Sequence, residues 1–403
     1  MTTQTPPMTR PTIRLRPKSN ASAIRHGFPW VYDNELVTDR RTRAIAPGMI
    51  ARLEDAERKP LGLVAFNPSS RIIARMLDRN PEAEINQAWL AARIATALAH
   101  RERLYKAPFY RLIHAEADGL PGVVIDRFGD VAVVQPNAAW AEALITDLVA
   151  AVVEVTGVTT VIKNASGRAR VLEGLGEETV TVKGVLDAPV LVPMNGATYV
   201  ADLLGGQKTG LFYDQRPNHA FAASLSNGAR VLDVFSHVGG FSLAALAGGA
   251  TQALAVDGSA NALELATEGA QHSGFGEKFS TRKGDAFDVL SALGREGAQF
   301  DVVICDPPAF APSKKALEAG MRAYEKVARL AAPLVAPGGY LGLCSCSHAA
   351  DLSRFRTASS RGIGRAGRSA QLIHTGFAGP DHPQLPQLAE SGYLKALFYR
   401  ITA

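Results

Sequence analysis

The chemistry that this sequence suggests begins with a cysteine at the end of a predicted strand. Cys346 follows the apolar run YLGLC and lies between Ser345 and Ser347. A thiolate that adds to carbon 6 of a pyrimidine turns carbon 5 into an enamine-like carbon, which can attack an activated methyl group. The thiol must first lose its proton, and because its ordinary pKa is about 8.5, the site has to lower that pKa. We therefore predict that Cys346 is a catalytic nucleophile.

The other two cysteines have simpler interpretations. An isolated cysteine is commonly a small buried hydrophobe, and Cys305 lies inside an apolar run, where we interpret it as a core residue. Cys344 points the same way as Cys346 along an extended strand, but its position inside the strand favours Cys346 as the reactive one. Cys344, Cys346 and His348 supply only three clustered metal ligands without Cys-x-x-Cys spacing, so we expect no metal site.

A second reactive group follows the apolar run FDVVIC. Asp306 is followed by Pro307 and Pro308, and prolines stiffen the turn and remove backbone donors. The carbonyls and the Asp306 carboxylate are then left to face a planar ring. We predict that Asp306 is catalytic and that the two prolines contact the substrate. Asp/Asn-Pro-Pro-aromatic segments are typical of amino methylation, but here Ala309 separates the prolines from Phe310.

Acidic residues also follow the other predicted strands of the C-terminal half. Asp233, Asp257 and Asp285 come at or just after such runs, and Gly239 and Gly240 form the turn after the first of them. In an open α/β sheet, ligands bind at the carboxyl ends of the strands. Small turn residues let the backbone approach the methionine part of a cofactor. The second acid can accept both ribose hydroxyls, and the third polar residue can meet the adenine amine.

A dinucleotide-dependent oxidoreductase is the main alternative for this pattern. Such enzymes also have an acid about 20 residues after their glycines. However, the turn here reads DVFSHVGGFS rather than G-x-G-x-x-G, the tighter pattern that a dinucleotide pyrophosphate requires. Asp306-Pro307-Pro308 also has no role in hydride transfer. The residues therefore favour S-adenosylmethionine as the cofactor.

The order of apolar runs predicts an α/β fold class with three domains. Short β-rich stretches over residues 12–82 predict a small all-β domain, and residues 86–190 combine strand and helix patterns into an α+β central domain. From residue 192 to 403, dense apolar strands alternate with helices at 241–248, 260–272 and 318–335. This alternation is typical of a parallel, doubly wound, Rossmann-like sheet.

The composition of the chain predicts the kind of partner that it binds and its cellular location. The 403 residues carry a formal charge of +5, and 47% of them are hydrophobic, which suits a folded protein with an anionic partner. Arginines concentrate in residues 10–43 and 351–370, two islands that could form one phosphate-binding face or two solvated surfaces. Three cysteines, no apolar leader segment and no run of about 18 apolar residues predict a cytoplasmic protein without membrane spans.

Together these motifs resemble a known family over nearly the whole chain. That family is the bacterial 23S rRNA cytosine-5 methyltransferases, which combine a PUA domain, an EEHEE domain and a class I methyltransferase domain. Besides the motifs above, the resemblance rests on five further segments: residues 15–16 with 25–32, 110–122, 209–216, 381–383 and 392–395. It implies that the first two domains bind folded RNA, chiefly by shape and phosphate contacts. The third domain would then take a flipped cytosine.

The resemblance also implies a set of site residues. Cys346 would attack carbon 6, and Asp306 would bond the base edge. The implied S-adenosylmethionine site comprises Thr209, Phe212, Arg216, Asp233, Phe235, Ser236, Gly239, Gly240, Asp257, Ser259, Asp285, Ala286 and Asp306. His114 and Asp118, by contrast, are better explained by domain packing and a hairpin turn.

Three functions remain open from the sequence alone. The first is carbon 5 methylation of a cytosine in 23S rRNA or in a large-subunit assembly intermediate. The second is methylation of a base nitrogen, which needs Asp306 but no thiol. The third is a non-catalytic rRNA-binding assembly factor, although the acids Asp233, Asp257 and Asp285 speak against it. A homodimer also remains open.

Overall fold

The computed structural model describes residues 10–205 and 210–402, which fall into two compact units. The first contains residues up to Leu186 together with Pro383–Ser391, and the second contains Asp187–His382 and the residues from Gly392 onward. The first unit therefore holds both predicted N-terminal domains, whose boundaries at 82, 86 and 190 stay predictions.

Two five-stranded sheets form the first unit. The first has the order β1-β3-β4-β5-β2, and the second has the order β10-β9-β8-β7-β6. The strands are β1 (Thr12–Arg14), β2 (Trp30–Tyr32), β3 (Ile50–Glu54), β4 (Pro60–Phe66), β5 (Ile72–Asp78), β6 (Phe109–His114), β7 (Val123–Phe128), β8 (Val131–Pro136), β9 (Thr160–Asn164) and β10 (Thr179–Lys183). The helices are α1 (Ala21–Arg25), α2 (Arg40–Arg43), α3 (Gln87–Leu104), α4 (Ala139–Ala143), α5 (Ile145–Thr156) and α6 (Arg168–Leu172).

Helix α3 shows how this unit is held together. Its N-cap is Asn86, whose side chain accepts from the backbone N–H of Trp89, and its apolar face buries Leu90 and Ile94 against the second sheet. The same face carries Arg101, which is only 1% exposed. Its guanidinium donates to both carboxylate oxygens of Asp118, at 2.8 and 2.6 Å.

Asp118 and His114 are accordingly structural in this fold. One Asp118 oxygen also accepts from the backbone N–H of His114 at 2.6 Å, at the turn between the antiparallel strands β6 and β7. Gly119 closes that turn with a φ of 73°, in the left-handed region that favours glycine. The buried ion pair therefore fixes the turn that the sequence predicted as a hairpin.

The second unit is built on a seven-stranded sheet. Its order within the described residues is β15-β14-β13-β16-β17-β19-β18, with a separate hairpin of β11 and β12. The strands are β11 (Val190–Met194), β12 (Ala197–Ala201), β13 (Arg230–Val234), β14 (Gln252–Asp257), β15 (Phe279–Lys283), β16 (Phe300–Cys305), β17 (Val335–Ser345), β18 (Ala370–Gly376) and β19 (Lys395–Ile401). The helices are α7 (Arg216–Ser224), α8 (Gly240–Ala247), α9 (Ala260–His272), α10 (Ala286–Arg295), α11 (Leu317–Ala331) and α12 (Leu352–Arg365).

The predicted parallel pairing describes most of this sheet but not one side of it. Strands β13 to β17 pair in parallel, but β19 lies antiparallel between β17 and β18. No helical crossover precedes β19, because residues 377–394 form an irregular connection with one short 3-10 turn. Parallel neighbours are usually joined by a helical crossover, and this connection contains no α-helix. The irregular connection instead brings β19 back in the opposite direction.

The buried Arg101–Asp118 pair generates a stability prediction. We expect Asp118→Ala to lower the free energy of unfolding by about 3–5 kcal/mol, because it leaves a buried guanidinium without its counter-charge. The three tryptophans are Trp30, Trp89 and Trp140, so tryptophan fluorescence during urea unfolding reports on the first unit alone. The control is Glu82→Ala, which breaks an exposed ion pair with Arg52 in the same unit. An equal midpoint for Asp118→Ala and wild type would contradict the structural role of this pair.

Candidate functional site

The candidate site lies where the parallel strands end. Strands β13, β14, β16 and β17 run the same way, and their register aligns Val234 with Cys305 and Cys305 with Leu343. Their carboxyl ends therefore meet at one edge of the sheet. The backbone N–H of Asp306 donates to the carbonyl oxygen of Val234 at 3.1 Å. This hydrogen bond connects the end of β16 to the end of β13.

Asp233 is the most buried acid of this edge. It is 1% exposed, and its Oδ2 accepts from the backbone N–H and the hydroxyl of Ser242 at 2.9 and 2.8 Å. Burial raises the pKa of Asp233 to about 6. Its Oδ1 is buried without a hydrogen-bond partner among the described residues. A buried carboxylate oxygen of this kind needs a donor, and the amine of a ligand can provide one.

The turn after β13 is bent into an unusual backbone shape. Phe235 and His237 have φ angles of 64° and 50°, in the left-handed region that side chains other than glycine rarely adopt. Such residues cost about 1–3 kcal/mol each and cluster at ligand sites. Ser236 lies between them, and its buried hydroxyl has no partner in the described part of the chain. This turn therefore presents polar groups that a ligand could satisfy.

Two different structural constraints favour glycine at the two glycine positions of this turn. Gly239 is the N-cap of α8 and has a φ of 80°, in the left-handed region. A Cβ at Gly240 would lie 2.8 Å from Nε2 of His219, so glycine makes room for that imidazole. Burial lowers the pKa of His219 to about 3, which keeps the ring neutral. The sequence interpretation assigned both glycines to cofactor approach, and it missed the packing of His219.

Asp257 connects the turn after β13 to the start of α9. Its Oδ2 accepts from the N–H of His237 and its Oδ1 from the N–H of Ser259, both at 2.9 Å. Each carboxylate oxygen has two lone pairs. Both oxygens therefore keep an acceptor position for a ribose hydroxyl while they order the surrounding backbone.

Asp285 and Ala286 begin α10. Oδ1 of Asp285 accepts from the N–H groups of Phe287 and Asp288 at 2.9 and 3.2 Å, so this acid is the N-cap of the helix. Asp285 is exposed and Ala286 is buried. The predicted contact of Asp285 with an adenine amine stays a prediction.

The segment before α7 approaches the same turn. The ring of Phe212 lies 5.1 Å from that of His237, centroid to centroid. Asp214 accepts from the hydroxyl of Tyr393 at 2.6 Å, and the guanidinium of Arg216 lies 5.2 Å from the ring centroid of Tyr213. Predicted residues Phe212 and Arg216 thus lie in one ordered segment. Thr209 lies outside the described residues.

The three cysteines differ in exposure. Cys305 and Cys344 are buried, and burial raises the pKa of each thiol. The interpretation of Cys305 as a core residue is confirmed by this burial. Cys346 is partly exposed and follows the end of β17 directly. Among the described cysteines, Cys346 is therefore the one that a solvent-borne substrate can reach.

A network of buried hydroxyls surrounds the loop of Cys346, and the sequence interpretation missed it. The Tyr324 hydroxyl lies 2.7 Å from Oγ of Ser347 and accepts from the Ser345 hydroxyl at 2.9 Å. Oγ of Ser347 also accepts from the N–H of Ala311 at 3.0 Å, in the segment that follows Asp306. The two serines flanking the cysteine were visible in the sequence, but nothing there linked them to Tyr324 of α11.

The Pro-Pro segment presents one proline to solvent. Pro308 is exposed, whereas Pro307 is buried and Asp306 is partly buried. The predicted substrate contact therefore suits Pro308, while Pro307 stiffens the turn beneath it.

The residues of this edge fit S-adenosylmethionine. The unpartnered Asp233 oxygen suits the ligand's amine, and the two oxygens of Asp257 suit a ribose diol. The buried Ser236 hydroxyl lies between them in the chain. Within the described ranges, no cluster of three or more His, Cys, Asp or Glu residues could hold a metal ion. Within the same ranges, no helix has the length and apolarity needed to cross a membrane.

The class of protein follows from family comparison. Residues 180–400 match the S-adenosylmethionine-dependent methyltransferase family, and residues 13–79 match a PUA-like domain. The predicted fold class and the predicted cofactor are confirmed by these matches. The EEHEE description of the central region stays a prediction.

Full-length relatives specify the family more closely. The chain is 34% identical over 409 residues to a ribosomal RNA large subunit methyltransferase of Deinococcus radiodurans, covering 98% of this chain and 99% of the relative. It is also 34% identical to a ribosomal RNA large subunit methyltransferase I of Alteromonas mediterranea, covering 97% and 98%. The chain belongs to this family of S-adenosylmethionine-dependent methyltransferases.

Solved structures share the fold over the whole chain. A putative S-adenosylmethionine-dependent methyltransferase from Streptococcus mutans aligns with a TM-score of 0.81 at 18% identity, covering 97% of this chain and all of the other. A putative methyltransferase complexed with SAH aligns with a TM-score of 0.82 at 19% identity, covering 98% of this chain and all of the other.

The buried Asp233 carboxylate generates a prediction on cofactor affinity. We expect Asp233→Asn to weaken S-adenosylmethionine binding about 10- to 100-fold at pH 7.5, because a hydrogen bond to a charged group contributes about 1.5–3 kcal/mol. Wild-type affinity should fall as the pH drops below about 6, where Asp233 becomes protonated. Isothermal titration calorimetry at several pH values measures both effects.

The same substitution should act oppositely on the ligand-free protein. A raised carboxyl pKa means that the folded state disfavours the ionised form, so stability declines as the pH rises through the folded pKa. Asp233→Asn should therefore raise the melting temperature of the ligand-free protein at pH 7.5. The exposed carboxylate Asp187, changed to Asn, serves as the control. Unchanged affinity in Asp233→Asn would exclude the proposed contact.

Proposed function

We propose that this protein methylates carbon 5 of a cytosine in 23S rRNA, with Cys346 as nucleophile. The observation that carries the proposal is the placement of Cys346. It is a partly exposed thiol just beyond β17, next to the strand end that carries Asp306. The relatives named as large-subunit rRNA methyltransferases support ribosomal RNA as the substrate class.

A thiol at this place suits carbon methylation rather than nitrogen methylation. Carbon 5 of cytosine is a poor nucleophile, whereas an amine carries its own lone pair. Addition of the Cys346 thiolate forms a sulfur–carbon bond at carbon 6 and pushes electron density to carbon 5. S-adenosylmethionine, when bound, supplies an electrophilic methyl group. Loss of the carbon 5 proton to a base then expels the thiolate and restores the aromatic ring.

Asp306 acts on the base in this proposal. Addition at carbon 6 places extra electron density on the ring, and a hydrogen bond between Asp306 and the base edge holds the ring in place as this happens. The hydrogen bond from Asp306 N–H to Val234 fixes the backbone at this point. Pro308, exposed on the same turn, offers an apolar surface to the face of the ring.

The two arginine islands contribute unequally to RNA binding in this proposal. In α12, Arg354 and Arg365 pair with Glu318 and Glu325 of α11, and Arg368 donates to backbone carbonyls of the same unit. These contacts offset part of the positive charge of residues 351–370. Arg40, Arg41 and Arg43 of α2 are exposed, in the region that matches a PUA-like domain. We therefore assign phosphate contacts chiefly to the island at residues 10–43.

Trapping with a modified base tests the nucleophile. RNA that carries 5-fluorocytosine cannot release the adduct, because carbon 5 has no proton to lose. Wild-type protein with S-adenosylmethionine should form a covalent complex visible on a denaturing gel, and Cys346→Ala should form none. Methylation by Cys346→Ala should fall at least about a thousandfold, as expected when a nucleophile is removed.

The buried cysteine Cys305 provides the matched control. Cys305→Ala removes a thiol of the neighbouring strand end and should still trap the RNA. Full methylation by Cys346→Ala would instead support a base nitrogen as the target. Mass mapping of methylated nucleosides in rRNA from a strain lacking the gene identifies the modified nucleotide.

A further inference from the structure

A buried lysine lies beside the loop that carries Cys346. Lys395 is the first residue of β19, and the antiparallel register places it opposite Ser345, the residue before Cys346. It is only 5% exposed. Fully buried lysines are rare unless they are paired, because removal of an ammonium group from water is costly.

Two carbonyl groups just after the cysteine accept hydrogen bonds from this ammonium. Nζ of Lys395 donates to the carbonyl oxygen of Ser347 at 2.7 Å and to that of Ala350 at 2.8 Å. An ammonium has three protons, and these bonds use two of them. The lysine therefore fixes the backbone on the C-terminal side of Cys346, while the Tyr324 network fixes both flanking serines from α11.

The charge of Lys395 is electrostatically coupled to Cys346. Burial lowers the pKa of Lys395 to about 8, while the negative charges of Cys346 and Asp351 act in the opposite direction. Electrostatic coupling is reciprocal, so a nearby ammonium lowers the pKa of the thiol. At pH 7 the lysine is mostly charged, which is the form that stabilises a thiolate.

Other ionisable groups also come from the elements around Cys346. Burial and the charge of Cys346 raise the pKa of Tyr324, which keeps its hydroxyl neutral. The remaining groups are acids, a neighbouring tyrosine and a histidine: Asp306 after β16, Asp351 at the start of α12, Tyr393 before β19, and His348, whose ring lies 5.5 Å from that of Tyr393. The acids disfavour a thiolate. Lys395 is thus the basic residue of β19 that pairs with the Cys346 end of β17, whereas Arg400 of the same strand pairs with Tyr340 at the other end.

We propose that Lys395 is a positioning residue that holds the Cys346 loop and supplies the positive charge that stabilises its thiolate. The proposal rests on the proposed function of Cys346 as nucleophile. It explains how a cysteine surrounded by acids and a neutral tyrosine could be reactive at neutral pH. It also explains why a lysine is buried at the start of β19, where the next four residues are buried and lack charged side chains.

Alkylation of Cys346 tests this proposal without RNA. The rate of iodoacetamide modification at Cys346 is followed against pH by mass spectrometry of its peptide, which separates it from Cys305 and Cys344. We expect the midpoint of the wild-type profile to lie below the 8.5 of an ordinary thiol. In Lys395→Met the midpoint should rise by at least about one pH unit, which slows alkylation at pH 7 about tenfold.

Two further variants separate charge from packing. Lys395→Arg keeps a positive charge at every working pH, so its midpoint should lie closer to wild type than that of Lys395→Met. Lys278→Met removes an exposed lysine of the same unit and should leave the profile unchanged. An unaltered midpoint in folded Lys395→Met, or equal upward shifts in the Met and Arg variants, would overturn the charge role.

Folding controls and a separate test of Cys346 complete the experiment. Folding of each variant is checked by S-adenosylmethionine affinity and melting temperature. If Lys395→Met does not fold, a wild-type midpoint at or above 8.5 overturns the proposal. Methylation by Cys346→Ala decides the proposed function separately. Retained methylation there would reject the nucleophile, whereas the alkylation profiles would still report whether Lys395 acts on the thiol.

Discussion

The parallel pairing of β13, β14, β16 and β17 is the constraint on which the candidate site depends. Strands that run the same way end at the same edge, and their register fixes which residues become neighbours there. Asp233, Asp257, Asp306 and Cys346 are far apart in sequence, yet each lies within one residue of the end of one of these strands. Backbone hydrogen bonds, rather than contacts among the side chains themselves, therefore bring the acids and the thiol together.

The sequence predicted the parts of this site that local patterns encode. Dense apolar runs followed by acids indicated the strands and their polar ends, and α9 occupies the predicted residues 260–272. The antiparallel β19 was missed because the residues of a strand do not determine its direction relative to the neighbouring strands. Lys395 was noted only as part of a C-terminal motif. Its importance depends on its pairing with Ser345, which lies 50 residues earlier in the chain.

Other features were missed because they depend on a contact with a distant part of the chain. Gly240 was interpreted through a cofactor alone, but its missing side chain also admits His219. The second arginine island looked like an RNA surface, yet α11 supplies acids that pair with part of it. In both cases the deciding neighbour comes from a distant part of the chain, and periodicity within a segment carries no information about it.

The late position of β19 has a consequence for the order of events during synthesis. Lys395 follows Cys346 by 49 residues, so a growing chain contains the cysteine well before the strand that pairs beside it. Until that strand is added, the thiol lacks the cation that we propose stabilises its thiolate. Because oxidants attack thiolates in preference to thiols, the proposed role of Lys395 implies that the nascent chain carries its cysteine in the less vulnerable form until the sheet closes.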